Sequence, residues 1–129
     1  MKLKFILILS LLLINLPINA QEGWFWQNPL PQGNRLTSLC FTDGNIGAAV
    51  GDHGAIIRTT DGGENWIVQN SNTTSYLKGV SFSDSFHGTA VGLNGTIIRT
   101  TDGGEHWFDQ ASGTTELLQA VHFTNQTLE

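Results

Sequence analysis

Residues Gly47–Trp66 read GAAVGDHGAIIRTTDGGENW, and Gly88–Trp107, forty-one residues later, read GTAVGLNGTIIRTTDGGEHW. Fifteen of the twenty positions are identical. A repeat of about 40 residues is the mark of a stacked or radial array, in which one unit cannot bury its own core. The expected fold class is therefore all-β, built from β-propeller blades.

Working outward, Leu36-Thr-Ser-Leu-Cys-Phe41 aligns with Leu77-Lys-Gly-Val-Ser-Phe82 and again with Leu118-Gln-Ala-Val-His-Phe123, each at the same step of forty-one. Leu39 and Phe41 alternate, as do Val80 and Phe82, which predicts a half-buried first strand. The small residues of 47–51 and 88–92 predict a second strand that approaches a neighbouring sheet closely. Residues 55–60 and 96–101 are rich in β-branched side chains and predict a third. A fourth is expected from Trp66 and from Trp107. Asp52-His-Gly54 and Leu93-Asn-Gly95 read as short hairpin signals. Four short antiparallel strands in about 40 residues match one propeller blade.

The predicted blades span about 36–70 and 77–111, within a propeller region 21–129. Residues 24–28 echo a fourth strand, and 117–123 echo a lone first strand. Two full blades fall short of the 4–8 that close a ring. The expected arrangement is the front portion of a longer protein, with further blades downstream, or self-association of the chain.

Residues 1–20 have a different character. Lys2 and Lys4 precede an apolar run, Phe5–Leu16, and the segment ends at Ala20 before the polar Gln21. This is the layout of a cleavable signal peptide. A run of twelve falls short of the roughly 20 residues that span a bilayer. The expectation is export to the periplasm, cell surface or exterior, with no membrane span after cleavage.

Loss of Lys2 and Lys4 takes the formal charge from −5 to −7 and leaves four basic residues, Arg35, Arg58, Lys78 and Arg99. A nucleic-acid partner needs a basic face, and none is written here. Cys40 is the single cysteine, so no internal disulfide forms. It aligns with Ser81 and His122, which reads as a part-buried strand position rather than a nucleophile.

The repeated turn has the form Thr-x-Asp-x-Gly-x-x-Trp, at Thr59, Asp61, Gly63 and Trp66 and again at Thr100, Asp102, Gly104 and Trp107. A short carboxylate can accept main-chain N–H groups across its own turn, glycine permits the path, and tryptophan anchors it. This motif resembles the Asp-box, or bacterial neuraminidase repeat. The resemblance implies a structural role, because sialidase Asp-boxes lie away from the active site. The whole unit resembles the repeat of the photosystem II stability/assembly factor family, over roughly residues 24–123. That resemblance implies a propeller that binds a protein partner in assembly, with no catalysis and no cofactor.

Candidates for chemistry are few. A sialidase needs an arginine cluster and a Tyr/Glu pair, yet Arg58 and Arg99 are equivalent repeat positions and Tyr76 is the single tyrosine. Asp61 with Glu64, and Asp102 with Glu105, are turn pairs carried by the blade, unlike the facing carboxylates of a glycosidase. His53 exchanges with Asn94 and His106 with Asn65, which is poor behaviour for metal ligands. No catalytic or metal residue is therefore expected. Arg58 and Arg99 are the candidate partner-contact residues, as a positive band on the third strands. The competing expectations for them are stems that cover apolar surface or bonds to a neighbouring blade. The alternative reading of the chain is a fragment of a sialidase-like or other carbohydrate-active or glycan-binding Asp-box propeller.

Overall fold

Eight strands form two four-stranded antiparallel sheets, each in sequence order. The first contains β1 (Leu36–Phe41), β2 (Gly47–Gly51), β3 (Ile56–Thr59) and β4 (Ile67–Gln69). The second contains β5 (Leu77–Phe82), β6 (Gly88–Gly92), β7 (Ile97–Thr100) and β8 (Phe108–Gln110). The computed structural model describes residues 32–124. The expected signal peptide, 1–20, and the expected strand 24–28 lie outside them. Two propeller-like blades, the all-β architecture read from the repeat, are thus present.

Side-chain alternation gives each blade two faces. Directly paired residues share a face, so Cys40, Ala48, Arg58 and Ile67 stand together, as do Ser38, Val50, Ile56 and Gln69. This face of the first blade meets Val80, Ala90 and Ile98 of the second, which are likewise paired with one another. The shared core comprises Val50, Ile56, Leu77, Val80, Ala90, Ile98 and Trp107, with Cys40 and Phe82 against it. Each fully buried aliphatic side chain contributes about 1.5–3 kcal/mol. The core thus lies between blades, so a single unit could not have made it.

The glycines of the second strands answer to their own sheet rather than to a neighbouring one. A Cβ on Gly88 would stand 2.6 Å from the Phe82 ring, and one on Gly92 would stand 2.1 Å from the Tyr76 carbonyl oxygen. Gly47 and Gly51 are in the same position against Phe41 and Arg35.

The connections at 52–54 and 93–95 are single 3₁₀ turns, not two-residue hairpins. His53 and Asn94 take φ of 56° and 58° there. This left-handed conformation suits Asn and tolerates His, which explains the exchange between repeats. Trp66 and Trp107 fall just before β4 and β8, because each anchors the preceding turn.

Residues 117–123 form no ladder among the described residues. They lie beside β5 in the way that β5 lies beside β1. The Leu118 N–H donates to the Gly92 carbonyl at 3.0 Å, and the Phe123 N–H donates to Ser81 Oγ at 3.1 Å. A strand is defined by a laddered neighbour, and this segment has the position of a first strand with no laddered neighbour among the described residues.

Candidate functional site

The two repeated turns are closed hydrogen-bond units. Thr59 Oγ1 donates to Asp61 Oδ1 at 2.8 Å and accepts from the Gly63 N–H at 2.9 Å. Asp61 Oδ1 also accepts the Asn65 N–H at 2.8 Å, and Oδ2 accepts Asn65 Nδ2 at 2.7 Å. In the second blade Thr100 Oγ1 donates to Asp102 Oδ1 at 2.8 Å, and the Gly104 N–H donates to Thr100 Oγ1 at 2.9 Å. Asp102 Oδ1 accepts from the Glu105 and His106 N–H groups, both at 3.0 Å, and His106 Nδ1 stands 2.6 Å from Oδ2.

These bonds favour the charged carboxylates. The main-chain N–H of Asn65, then its side chain and the Thr59 hydroxyl, hold Asp61 down to about 2. For Asp102, burial pushes upward, but the His106 N–H, the His106 ring and the Thr100 hydroxyl together bring it down to about 2. Permanently ionised groups bound within their own turns are unsuited to proton transfer at neutral pH. Asp102, Glu105 and His106 also bring potential metal-ligand atoms within 4.8 Å of one another. The Asp102 carboxylate and His106 Nδ1 already serve the turn, and the Glu105 carboxylate faces an arginine from the other blade.

That arginine is Arg58. Its Nε donates to the Gly103 carbonyl at 2.7 Å, and Nη1 lies 3.6 Å from Glu105 Oε1. Its side chain is only 15% exposed. Arg58 therefore locks the first blade to the repeated turn of the second. Its repeat equivalent, Arg99, is exposed on the opposite flank of the second blade. The two candidate contact residues are thus not brought together, and they stand in different states. Trp66 and Trp107 differ in parallel, since Trp107 is 0% exposed and Trp66 is half-buried. Each packs edge-on to a first-strand phenylalanine, Phe41 or Phe82, with ring centroids 6.1 Å apart in both blades.

Residues that break the repeat gather at the other end of the junction. Asp52, where the second blade has Leu93, lies 3.2 Å from Arg35 Nε and 3.8 Å from Lys78 Nζ. Lys78 stands over the Tyr76 ring, whose hydroxyl is 3.3 Å from His53 Nε2. Asp52 Oδ1 is buried with no hydrogen-bond partner. Sequence reading passed over this cluster. The signal available was the failure of the repeat itself at Asp52/Leu93 and Lys78/Gln119. Asn72 breaks the repeat as well, and its Nδ2 donates to the Trp107 carbonyl at 3.0 Å across the junction.

A cavity of about 460 Å³ opens where the first strands end, lined by Phe41, Thr42, Phe82, Ser83, Asp84 and Phe123, among others. Its size lies within the usual range of ligand clefts. The Phe86 and His87 N–H groups hold the Asp84 carboxyl below its ordinary value. Phe41, Phe82 and Phe123 are one repeat position seen three times, so the cavity sits on the line along which successive blades stack.

No protein-family model matches the chain, and no curated protein does. Among solved structures it is similar to YCF48 bound to D1 peptide, at 28% identity and a TM-score of 0.57. It is also similar to YCF48 from Cyanidioschyzon merolae, at 29% identity and a TM-score of 0.57. Each match takes in 64% of this chain, but the chain spans only 28% of the length of either YCF48 chain. Blade order, ladder register and these likenesses agree with the repeat-family resemblance. The chain is a propeller-type repeat protein similar to the photosystem II assembly factor YCF48.

Proposed function

We propose that this chain is an exported propeller module that binds a protein segment during assembly and has no catalysis of its own. The observation that carries the reading is the similarity to YCF48 in a structure with a bound peptide. The repeated turns support the non-catalytic part, since Asp61 and Asp102 are committed to hydrogen bonds inside their own hairpins. They act as Asp-boxes, holding each blade's outer hairpin. The 460 Å³ cavity supplies an open, mostly polar concave surface that joins Phe41, Phe82 and Phe123 to one carboxylate, Asp84, suited to an extended segment with a basic side chain. Export rests on the leader Met1–Ala20.

The test is binding of the purified chain to an array of overlapping peptides from the exported and membrane proteins of its host. Saturable binding that Asp84→Lys abolishes is the expected result. Absence of binding, or turnover of a fluorogenic sialoside or other glycoside by the chain, overturns the reading.

A further inference from the structure

Asp84 is the carboxylate of the cavity, and His87 is bonded to it. Asp84 Oδ1 accepts the Phe86 N–H at 2.7 Å and the His87 N–H at 2.8 Å. His87 Nδ1 lies 2.8 Å from Oδ2 and 3.0 Å from Oδ1. An ionised carboxylate only accepts, so Nδ1 carries the hydrogen and Nε2 is the nitrogen that gains or loses the proton. The first blade has the same loop without the histidine. Asp43 Oδ1 accepts the Asn45 and Ile46 N–H groups at 2.7 and 2.8 Å, and Ile46 stands in the place of His87. Asp43 is not among the residues that line the cavity. The departure from the repeat thus falls on the cavity's own carboxylate.

We propose that Asp84 and His87 form a pH-gated site for one lysine ammonium group of a bound peptide. The inference rests on the reading of the cavity as a peptide site and names what that site selects. A carboxylate offers about four acceptor positions. Oδ1 takes two main-chain N–H groups and Oδ2 takes the imidazole, which leaves about one position, on Oδ2. A compact ammonium can use a single position, whereas the two-pronged fork of a guanidinium needs both oxygens. Histidine side chains change charge between about pH 8 and pH 5. With the imidazole neutral, the pair presents a negative charge to the cavity. With the imidazole charged, the pair is neutral and the imidazolium repels the ammonium. Asp84 stays ionised throughout, because the Phe86 and His87 N–H groups and the His87 ring hold its carboxyl below the ordinary value. Neighbouring charges are committed elsewhere. The repeated turn of the second blade packs on this loop through the Gly103 N–H, which donates to the Phe86 carbonyl at 2.8 Å. In that turn Asp102 is bonded to His106, and Glu105 lies against Arg58. The strand ends that flank the cavity, Phe41–Thr42 and Phe82–Ser83, are uncharged.

The test uses the full chain at low salt and, as probes, the blocked peptides acetyl-Gly-Lys-Gly-amide and acetyl-Gly-Arg-Gly-amide, titrated by NMR at the amide signals of residues 84–87. The lysine probe is expected to bind saturably at about pH 8, and the arginine probe more weakly. At about pH 5 the lysine probe should bind about fivefold more weakly or worse, the scale of two like charges a few ångströms apart near water. Asp84→Asn removes binding. His87→Asn keeps a side-chain donor to the carboxylate, as Asn65 Nδ2 donates to Asp61 Oδ2 at 2.7 Å, and should bind alike at both pH values. His106→Asn, at the nearby turn, should keep the pH dependence. Equal binding by the wild-type chain at both pH values overturns the gate and leaves the peptide site standing, as does an unchanged pH dependence in His87→Asn. Arginine binding as tight as lysine overturns the selectivity. Absence of binding at both pH values removes the cavity as a site for a basic side chain, and the gate with it.

Discussion

Arg58 Nε donates to the main-chain carbonyl of Gly103 at 2.7 Å, across the boundary between the two blades. Gly103 takes a φ of 74° in the repeated turn of the second blade, and this conformation presents its carbonyl to the arginine. The same residue type at the same strand position, Arg99, is exposed. One repeated arginine is thus an internal clamp in one blade and a surface group in the next. Its role is set by whether a following blade meets it.

Arg58→Ala should therefore cost stability that Arg99→Ala does not. Hydrogen bonds to charged groups are worth about 1.5–3 kcal/mol when part-buried, whereas exposed substitutions stay within about 0.5 kcal/mol. Urea unfolding of both variants measures the difference. Equal midpoints would show that the clamp contributes nothing.

The tryptophans should separate in the same direction. Trp107 is fully buried against the core, and Trp66 is half-buried. Trp107→Ala is expected to cost about 3–5 kcal/mol, the range for large aromatic deletions in a core. Trp66→Ala should cost clearly less. Denaturant titration followed by circular dichroism decides this. A larger loss at Trp66 would contradict the placement of the core between the blades.

Asp61 and Asp102 make stability depend on acid. Both titrate at about 2 in the folded chain, below the ordinary 3.8. A depressed folded value means that the contribution is present above about pH 4 and is lost as pH falls through about 2. The wild-type melting temperature should fall between pH 4 and pH 2. The Asp61→Asn/Asp102→Asn double variant should start lower at pH 7 and fall less over that window. Parallel curves for the two proteins would show that the turns do not stabilise the carboxylate forms.

The expected signal peptide makes a prediction of its own. If Met1–Ala20 directs export, the protein recovered from outside the cytoplasm begins at Gln21, as N-terminal sequencing would show. Recovery from the cytoplasm with residues 1–20 intact would remove export from the proposed function.

The blades were legible because a forty-one-residue repeat states the same local physics twice. Alternation in 36–41 and 77–82, β-branched residues in 56–59 and 97–100, and the Thr-x-Asp turn each specify a local conformation, and local conformation is a matter of neighbours in sequence. The turn's tryptophan was readable as an anchor for the same reason. The Asp52–Arg35–Lys78 cluster was not, because its members lie in different strands and turns and meet only at the junction. Residues 117–123 read as a lone first strand, and among the described residues they form no ladder. Their sequence is that of a first strand, but a ladder requires a partner, and partners are settled in space.

By itself, then, the sequence determined the unit: four strands, their turns, and the carboxylates that close them. Tertiary structure decided what identical residues do. Arg58 and Arg99, and Trp66 and Trp107, carry the same local instructions and end in different environments. Burial and long-range hydrogen bonds depend on which blade stands alongside, and no repeat can encode that within itself.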